Sequence, residues 1–167
     1  MHCADIRIYE LKGSETEISA LCRLLTAVWP EHYGPQGPGD PEADLRLRSG
    51  KSPLPVGWVA VAEQPIGTVA LSPASFGQTR DEGPWITGLV VSADCRGQGI
   101  GSQLVAKAET HARRAGFSSI FATVSRAEAL FQRRGWKGIR TVVDDCRQPW
   151  TVMRFNSDHS AQGQTVQ

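Results

Sequence analysis

The order of its expected elements makes this chain an α/β protein built on one mixed sheet, and three observations carry that reading. Strand-like apolar runs alternate with stretches of helical period. One apolar run ends in a glycine-rich turn that opens an amphipathic helix. The length of 167 residues, 40% of them hydrophobic, suits one domain able to bury its own core. That domain is expected over residues 1–155, with a polar, disordered tail at 156–167.

The first strand is expected over residues 6–11, where Ile6 and Ile8 alternate before Gly13 breaks the pattern. Ser14 with Glu17 three residues on has the form of a capping box. Ile18, Leu21, Leu24, Leu25 and Val28 then keep helical spacing as far as Trp29, before Pro30. Residues 31–39 are dense in proline and glycine and read as a loop. Asp40-Pro41-Glu42 opens a short helix that stops by Gly50, and residues 51–55 form a linker.

Residues 56–62 and 66–71 read as a hairpin, and 76–83 as a polar excursion from the sheet. Residues 85–91 form the next strand; its end, Leu89-Val90-Val91, is apolar on both faces, as a doubly covered central strand would be. Beyond the glycine turn, Ile100, Leu104, Val105, Ala108, Ala112 and Ala115 line one helical face, with Gly116 as its stop. A strand follows at 119–124. Ser125 and Glu128 suggest a second capping box for a helix ending at Arg134-Gly135. Strands at 136–143 and 150–155 close the domain.

The formal net charge is only +1, so no global field favours nucleic acid or an anionic membrane. No apolar run reaches the length of a membrane span, and the segment MHCADIRIYE lacks the apolar core of a signal peptide. Cys3, Cys22, Cys95 and Cys146 show no metal-ligand spacing and read as reduced thiols of a cytoplasmic protein.

The chemistry concentrates in Leu89-Val90-Val91-Ser92-Ala93-Asp94-Cys95-Arg96-Gly97-Gln98-Gly99-Ile100-Gly101. Glycines permit positive φ and a close backbone approach, and amides at a helix N-terminus gather an anion. Arg96 adds a fixed positive charge. The Lys-Ser/Thr pair of a P-loop is missing, and the spacing is G-x-G-x-G rather than the dinucleotide G-x-G-x-x-G. On the glycines alone, a ligand-free tight turn stays open.

The segment resembles motif A of the GNAT superfamily of N-acetyltransferases, Q/R-x-x-G-x-G/A, with Arg96, Gly99 and Gly101 at its defining positions. Ala127-Glu128-Ala129-Leu130-Phe131-Gln132-Arg133-Arg134-Gly135-Trp136 is similar to the family's later helix, which usually ends L-Y-x-x-x-G-F/W. The resemblance implies a mixed, mostly antiparallel central sheet, splayed at the cofactor site and flanked by about four helices. It implies acetyl-CoA as co-substrate, with its pyrophosphate on the amides of Gly97, Gln98, Gly99, Ile100, Gly101 and Ser102. Its pantetheine would add to the strand at Leu89, Val90 and Val91, beside Phe131, and a strand amide would hold the acetyl oxygen. The acceptor would be a primary amine on a small molecule or protein, attacking directly in a ternary complex without a metal. Homodimers are frequent in the family.

The tyrosine that often serves as acid in L-Y-x-x-x-G is Phe131 here, and the strand at 85–91 carries no carboxylate. A coenzyme-binding subunit without turnover is therefore the second reading. Candidates for proton chemistry are Glu31, His32, Tyr33 and Ser125, none assigned by spacing, and Thr123 is a weaker one. Trp29 and Trp85 are candidates for the acceptor pocket, and Glu31, Asp40, Glu42, Asp81 and Glu82 would suit a cationic amine. Cys95 beside the turn and His111 on the following helix are expected in packing and surface roles.

Overall fold

The computed structural model describes residues 5–50 and 53–157. Seven strands, β1 (Arg7–Glu10), β2 (Val56–Val61), β3 (Pro65–Ser72), β4 (Trp85–Val91), β5 (Ser119–Val124), β6 (Lys137–Val143) and β7 (Pro149–Asn156), form one sheet. Their order is β1-β2-β3-β4-β5-β7-β6. Only β4 and β5 pair in parallel; every other neighbouring pair is antiparallel.

The helices among the described residues are α1 (Glu15–Val28), α2 (Pro30–Tyr33), α3 (Pro41–Arg48), α4 (Ile100–Arg114) and α5 (Glu128–Arg133). One of them, α2, lies where the sequence suggested only loop: Pro30 sets its first turn, and Gly34 and Gly37 cap the following bend. Ser14 caps α1 by accepting from the Glu17 amide. The Glu17 carboxylate reaches past the cap to the amides of Lys12 and Gly13, at 3.0 and 2.8 Å. Asp40 caps α3 through the Ala43 amide.

Helix α4 ends as its composition suggested. Gly116 takes φ +85°, its amide bonds the Arg113 carbonyl, and the Phe117 amide bonds that of Ala112. The second capping box does not form. Ala127, without a side-chain hydrogen bond, precedes α5, and the Glu128 carboxylate faces Gln132 and Thr151 instead.

Two cores flank the sheet. Ile100, Leu104, Val105, Ala108 and Ala112 of α4 pack on Trp58, Val69, Leu71, Ile86 and Ile120. On the opposite face Ile18, Leu21, Leu25, Tyr33 and Leu45 cover Val59, Val61 and Val90. The strand buried throughout is β2, not β4, whose Thr87, Gly88 and Leu89 are half-buried because the sheet opens beside them. Two residues assigned to the tail belong to the fold: β7 runs to Asn156, and Ser157 is buried with its amide on the Ser118 carbonyl. Residues 158–167 lie outside the described residues.

Candidate active site

Strands β4 and β5 pair only at Trp85 with Phe121 and Ile86 with Ala122, then part. Just past the last pair, β4 carries a bulge. Thr68 and Ala70 of β3 oppose Val90 and Thr87, so one residue, Val69, faces both Gly88 and Leu89. Gly88 has φ +62°, a conformation strained for any residue with a Cβ. A bulge and a one-sided loss of pairing leave backbone N–H and C=O groups of β4 facing the gap.

The gap holds a cavity of about 550 Å³. Ile86, Thr87, Gly88 and Leu89 form one wall; Ala122, Thr123, Val124, Ser125, Arg126 and Ala127 form the other. Phe131 lies at the α5 end, while Trp29, Phe76, Asp144 and Trp150 close the side away from α4.

The glycine-rich turn lies at the end of β4. A 3-10 turn, Ala93–Cys95, leads into it; Gly97 and Gly99 take φ +75° and +77°, and no atom lies within 4 Å of where either Cβ would stand. Gly99 caps α4 without a side chain, so the first-turn amides, including those of Gly101 and Ser102, face outward without an intrahelical partner. Those amides, the helix dipole and open space above two glycines fit a diphosphate. Arg96 stands beside them, its Nε donating to the Val91 carbonyl at 3.2 Å.

Gly101 serves packing: a Cβ there would stand 3.0 Å from Leu130 of α5. The Ser102 hydroxyl accepts from Arg134 at 3.1 Å, and Arg134 also grips the buried Glu109 carboxylate at 2.6 and 3.0 Å. Trp136 donates to the same carboxylate at 2.8 Å. The Arg134-Gly135-Trp136 end of α5 is thus bolted to α4 just behind the cradle. Glu109 gave no sign of this in sequence; it reads there as an ordinary surface position.

Of the four candidates for proton chemistry, only Ser125 lines the cavity. Its hydroxyl is exposed and, with no cap to make, has no protein partner among the described residues. Glu31 and His32 are exposed on α2 and do not reach the cavity. Tyr33 is buried and donates to Asp44 at 2.8 Å; burial, then that hydrogen bond, push its pKa up to about 12. It is a poor acid there. The Thr123 hydroxyl donates to the Phe76 carbonyl at 2.6 Å and ties the loop 73–84 across the cavity. Cys95 is buried in the α4-side core.

Of the two tryptophans suggested for the acceptor pocket, Trp29 lines the cavity and Trp85 does not. Trp85 is wholly buried against Phe121 and Val152, its Nε1 donating to the Glu82 carbonyl at 3.3 Å. His111 is half-buried at the surface, packed edge-on against Trp58 with ring centroids 5.3 Å apart. Phe131 is buried at the cavity's end, edge-on to Trp136.

Three of the five acids suggested for a cationic amine are already engaged. Glu82 grips Arg140 at 2.6 Å through both oxygens, and this pairing chiefly holds its pKa down at about 2. Asp40 caps α3 and Glu42 pairs with Arg46. Asp144, which sequence reasoning missed, lines the cavity, but its carboxylate accepts from the Trp150 indole and the amides of Cys146 and Gln148. The indole bond is the main cause of its lowered pKa. Gly88 was the one missed feature with a sequence signal, a lone glycine inside a strand pattern.

The sequence profile described as the Acetyltransferase (GNAT) family matches residues 18–136. No curated protein sequence gives a significant match. Among solved structures, an aminoglycoside 6'-N-acetyltransferase complexed with coenzyme A superposes with a TM-score of 0.75 at 16% identity, over 90% of this chain and 97% of that one. The aminoglycoside 6'-N-acetyltransferase from Enterococcus faecium gives 0.72 at 17% identity, with the same coverages of 90% and 97%. YncA of Salmonella typhimurium, solved with its cofactor acetyl-CoA, gives 0.71 at 15% identity over 98% and 100%. At these identities the likeness is one of fold.

Proposed function

The chain belongs to the GNAT family of acetyltransferases, and from that premise we propose that it transfers the acetyl group of acetyl-CoA to a primary amine by direct attack in a ternary complex. The observation that carries this reading is the continuity of cradle, bulge and cavity: the first-turn amides of α4 lead along β4 to Gly88 and into the space between β4 and β5. A coenzyme with its pyrophosphate at Gly97, Gln98, Gly99, Ile100, Gly101 and Ser102 would lay its pantetheine along Leu89, Val90 and Val91.

The amine's lone pair attacks the thioester carbonyl carbon, and the carbonyl oxygen gains charge. A β4 amide at the bulge would donate to that oxygen as a fixed hydrogen-bond donor. The carbon–sulfur bond then breaks, the departing thiolate takes up a proton, and the new amide sheds one. Ser125 is the hydroxyl available to relay that proton, and Phe131 packs beside the coenzyme without donating.

Calorimetric titration with acetyl-CoA and an assay of thiol release across a panel of amines test the proposal. Saturable binding with amine-dependent thiol release is expected. Binding without release for any amine would favour the second reading, a coenzyme-binding subunit, which the phenylalanine at position 131 supports. Absence of binding would defeat both.

A further inference from the structure

The charges bordering the cavity do not suit a polycationic acceptor. Its single lining carboxylate, Asp144, already accepts three N–H donors, and none of Glu31, Asp40, Glu42, Asp81 and Glu82 lines it. The groups left over are cationic. Arg126 lines the wall, exposed and in no ion pair among the described residues.

Arg48 is the more telling one. From the last turn of α3 it reaches under β4, where its Nη1 lies 2.5 Å from the place a Cβ on Gly88 would occupy. Arg48 does not itself line the cavity, but its guanidinium stands where residue 88 has no side chain, directly behind the Gly88 backbone that forms the cavity wall. Its Nη1 is shielded from solvent and has no hydrogen-bond partner. Asp44, the acid one turn before it, is held by the Tyr33 hydroxyl, which also lies against the Arg48 guanidinium, so it is Nη1 alone that is left without an acceptor. A shielded guanidinium N–H without an acceptor is rare and costly, and a carboxylate is the group its planar fork fits best. The remaining cavity wall carries four aromatic rings, Trp29, Phe76, Phe131 and Trp150, and no further charged group, its other polar side chains being the hydroxyls of Ser75, Thr87, Thr123 and Ser125.

We propose that the acceptor is an amine with a carboxylate beside it on an apolar body, amino-acid-like in form, and that Arg48 at the Gly88 bulge reads the carboxylate. The inference rests on the acetyl transfer proposed above. With the carboxylate on Arg48, the neighbouring amine lies at the bulge, beside the amide that would hold the acetyl oxygen. A polyamine or aminoglycoside would instead bring further cations against Arg48 and Arg126 with no open carboxylate to receive them.

The test compares thiol release with phenylalanine and with phenethylamine, its decarboxylated twin, and then with spermidine and kanamycin. A kcat/KM at least about tenfold higher for phenylalanine than for phenethylamine is expected, the scale of one charge-assisted hydrogen bond. In Arg48→Met that ratio should fall to near one, while Arg48→Lys, which keeps the charge but loses the fork, should hold an intermediate ratio. Acetyl-CoA titration of each variant reports whether it is folded; if Arg48→Met is not, the wild-type ratio and Arg48→Lys decide. Turnover of phenethylamine, spermidine or kanamycin at or above phenylalanine overturns this inference and leaves acetyl transfer standing, as does an unchanged ratio in a folded Arg48→Met. Acetyl-CoA binding with no turnover of any amine overturns the acetyl-transfer reading and this inference with it.

Discussion

The cradle and the acceptor side of the cavity are built in opposite ways. The cradle is one unbroken segment, from the 3-10 turn through Gly97 and Gly99 into the first turn of α4, and its working groups are backbone amides. The acceptor side draws Trp29, Phe76, Gly88, Ser125, Asp144 and Trp150 from six separate places along the chain, and side chains do most of its work. A site made of backbone is fixed by where glycines permit positive φ. One made of side chains is fixed by what the fold brings together and by which partners each group has already found.

The sharpest way to break the comparison is to place the same residue at the two ends of α4. Gly99 and Gly116 both sit at positive φ, +77° and +85°, with open space where a Cβ would be. Gly99→Glu should weaken acetyl-CoA binding by about 100-fold or more, since a carboxylate would stand at the anion site as well as straining the backbone. Gly116→Glu should cost stability alone, about 1–2 kcal/mol for a left-handed residue with a Cβ, and leave the titrated affinity within twofold or so. Equal losses of affinity would mean that the cradle is only a turn.

A second test acts on the loop 73–84 that carries Phe76. Arg140 holds it through Glu82 and the Gly77 carbonyl. Arg140→Met should lose about 2 kcal/mol, or roughly 6 °C in Tm, on the scale of hydrogen bonds to a charged group. Because the folded pKa of Glu82 is depressed to about 2, the contribution is complete above its ordinary value of 4.5 and fades as pH falls toward 2. Melting curves of the two proteins should therefore be well separated at pH 6 and draw closer toward pH 2, the bond to the Gly77 carbonyl remaining. A separation that held constant down to pH 2 would show that the pair does not anchor the loop.

Smaller effects sharpen the acceptor side. Ser125→Ala should lower kcat about tenfold, less than the roughly 100-fold or more of a dedicated general acid because water can share the relay, with the KM for acetyl-CoA unchanged. An unaltered kcat would leave proton transfer to water alone. Thr123→Val removes the hydroxyl that holds the Phe76 carbonyl, and should raise the acceptor KM by about threefold, worth ~0.6 kcal/mol, without touching kcat.

The tertiary structure also explains each misreading. Trp85 read as a pocket aromatic because it opens a strand beside the expected site, yet it points to Phe121 and Val152 and is sealed in the core. Ser125 read as a cap because Glu128 follows at the right spacing, yet α5 begins at Glu128 and the hydroxyl is left to the cavity. The scattered acids read as receivers for a cation until Arg46, Arg140 and the N-terminus of α3 were seen to engage three of them. Arg48 stood out in no pattern at all.

What the sequence by itself determined is the part written in local conformation: the strands, the longer helices, the stop at Gly116 and the glycine turn that opens α4, since glycine spacing and apolar period act within a few residues. Only the tertiary structure decided where β4 and β5 part, that Gly88 would be answered by the guanidinium of Arg48, and that Ser125 would face the gap with its hydroxyl unengaged while that of Thr123 is tied to Phe76. The reason is physical. A side chain's chemistry depends on its burial, its partners and its neighbours' charge, and these are set by residues tens of positions away that no local pattern records.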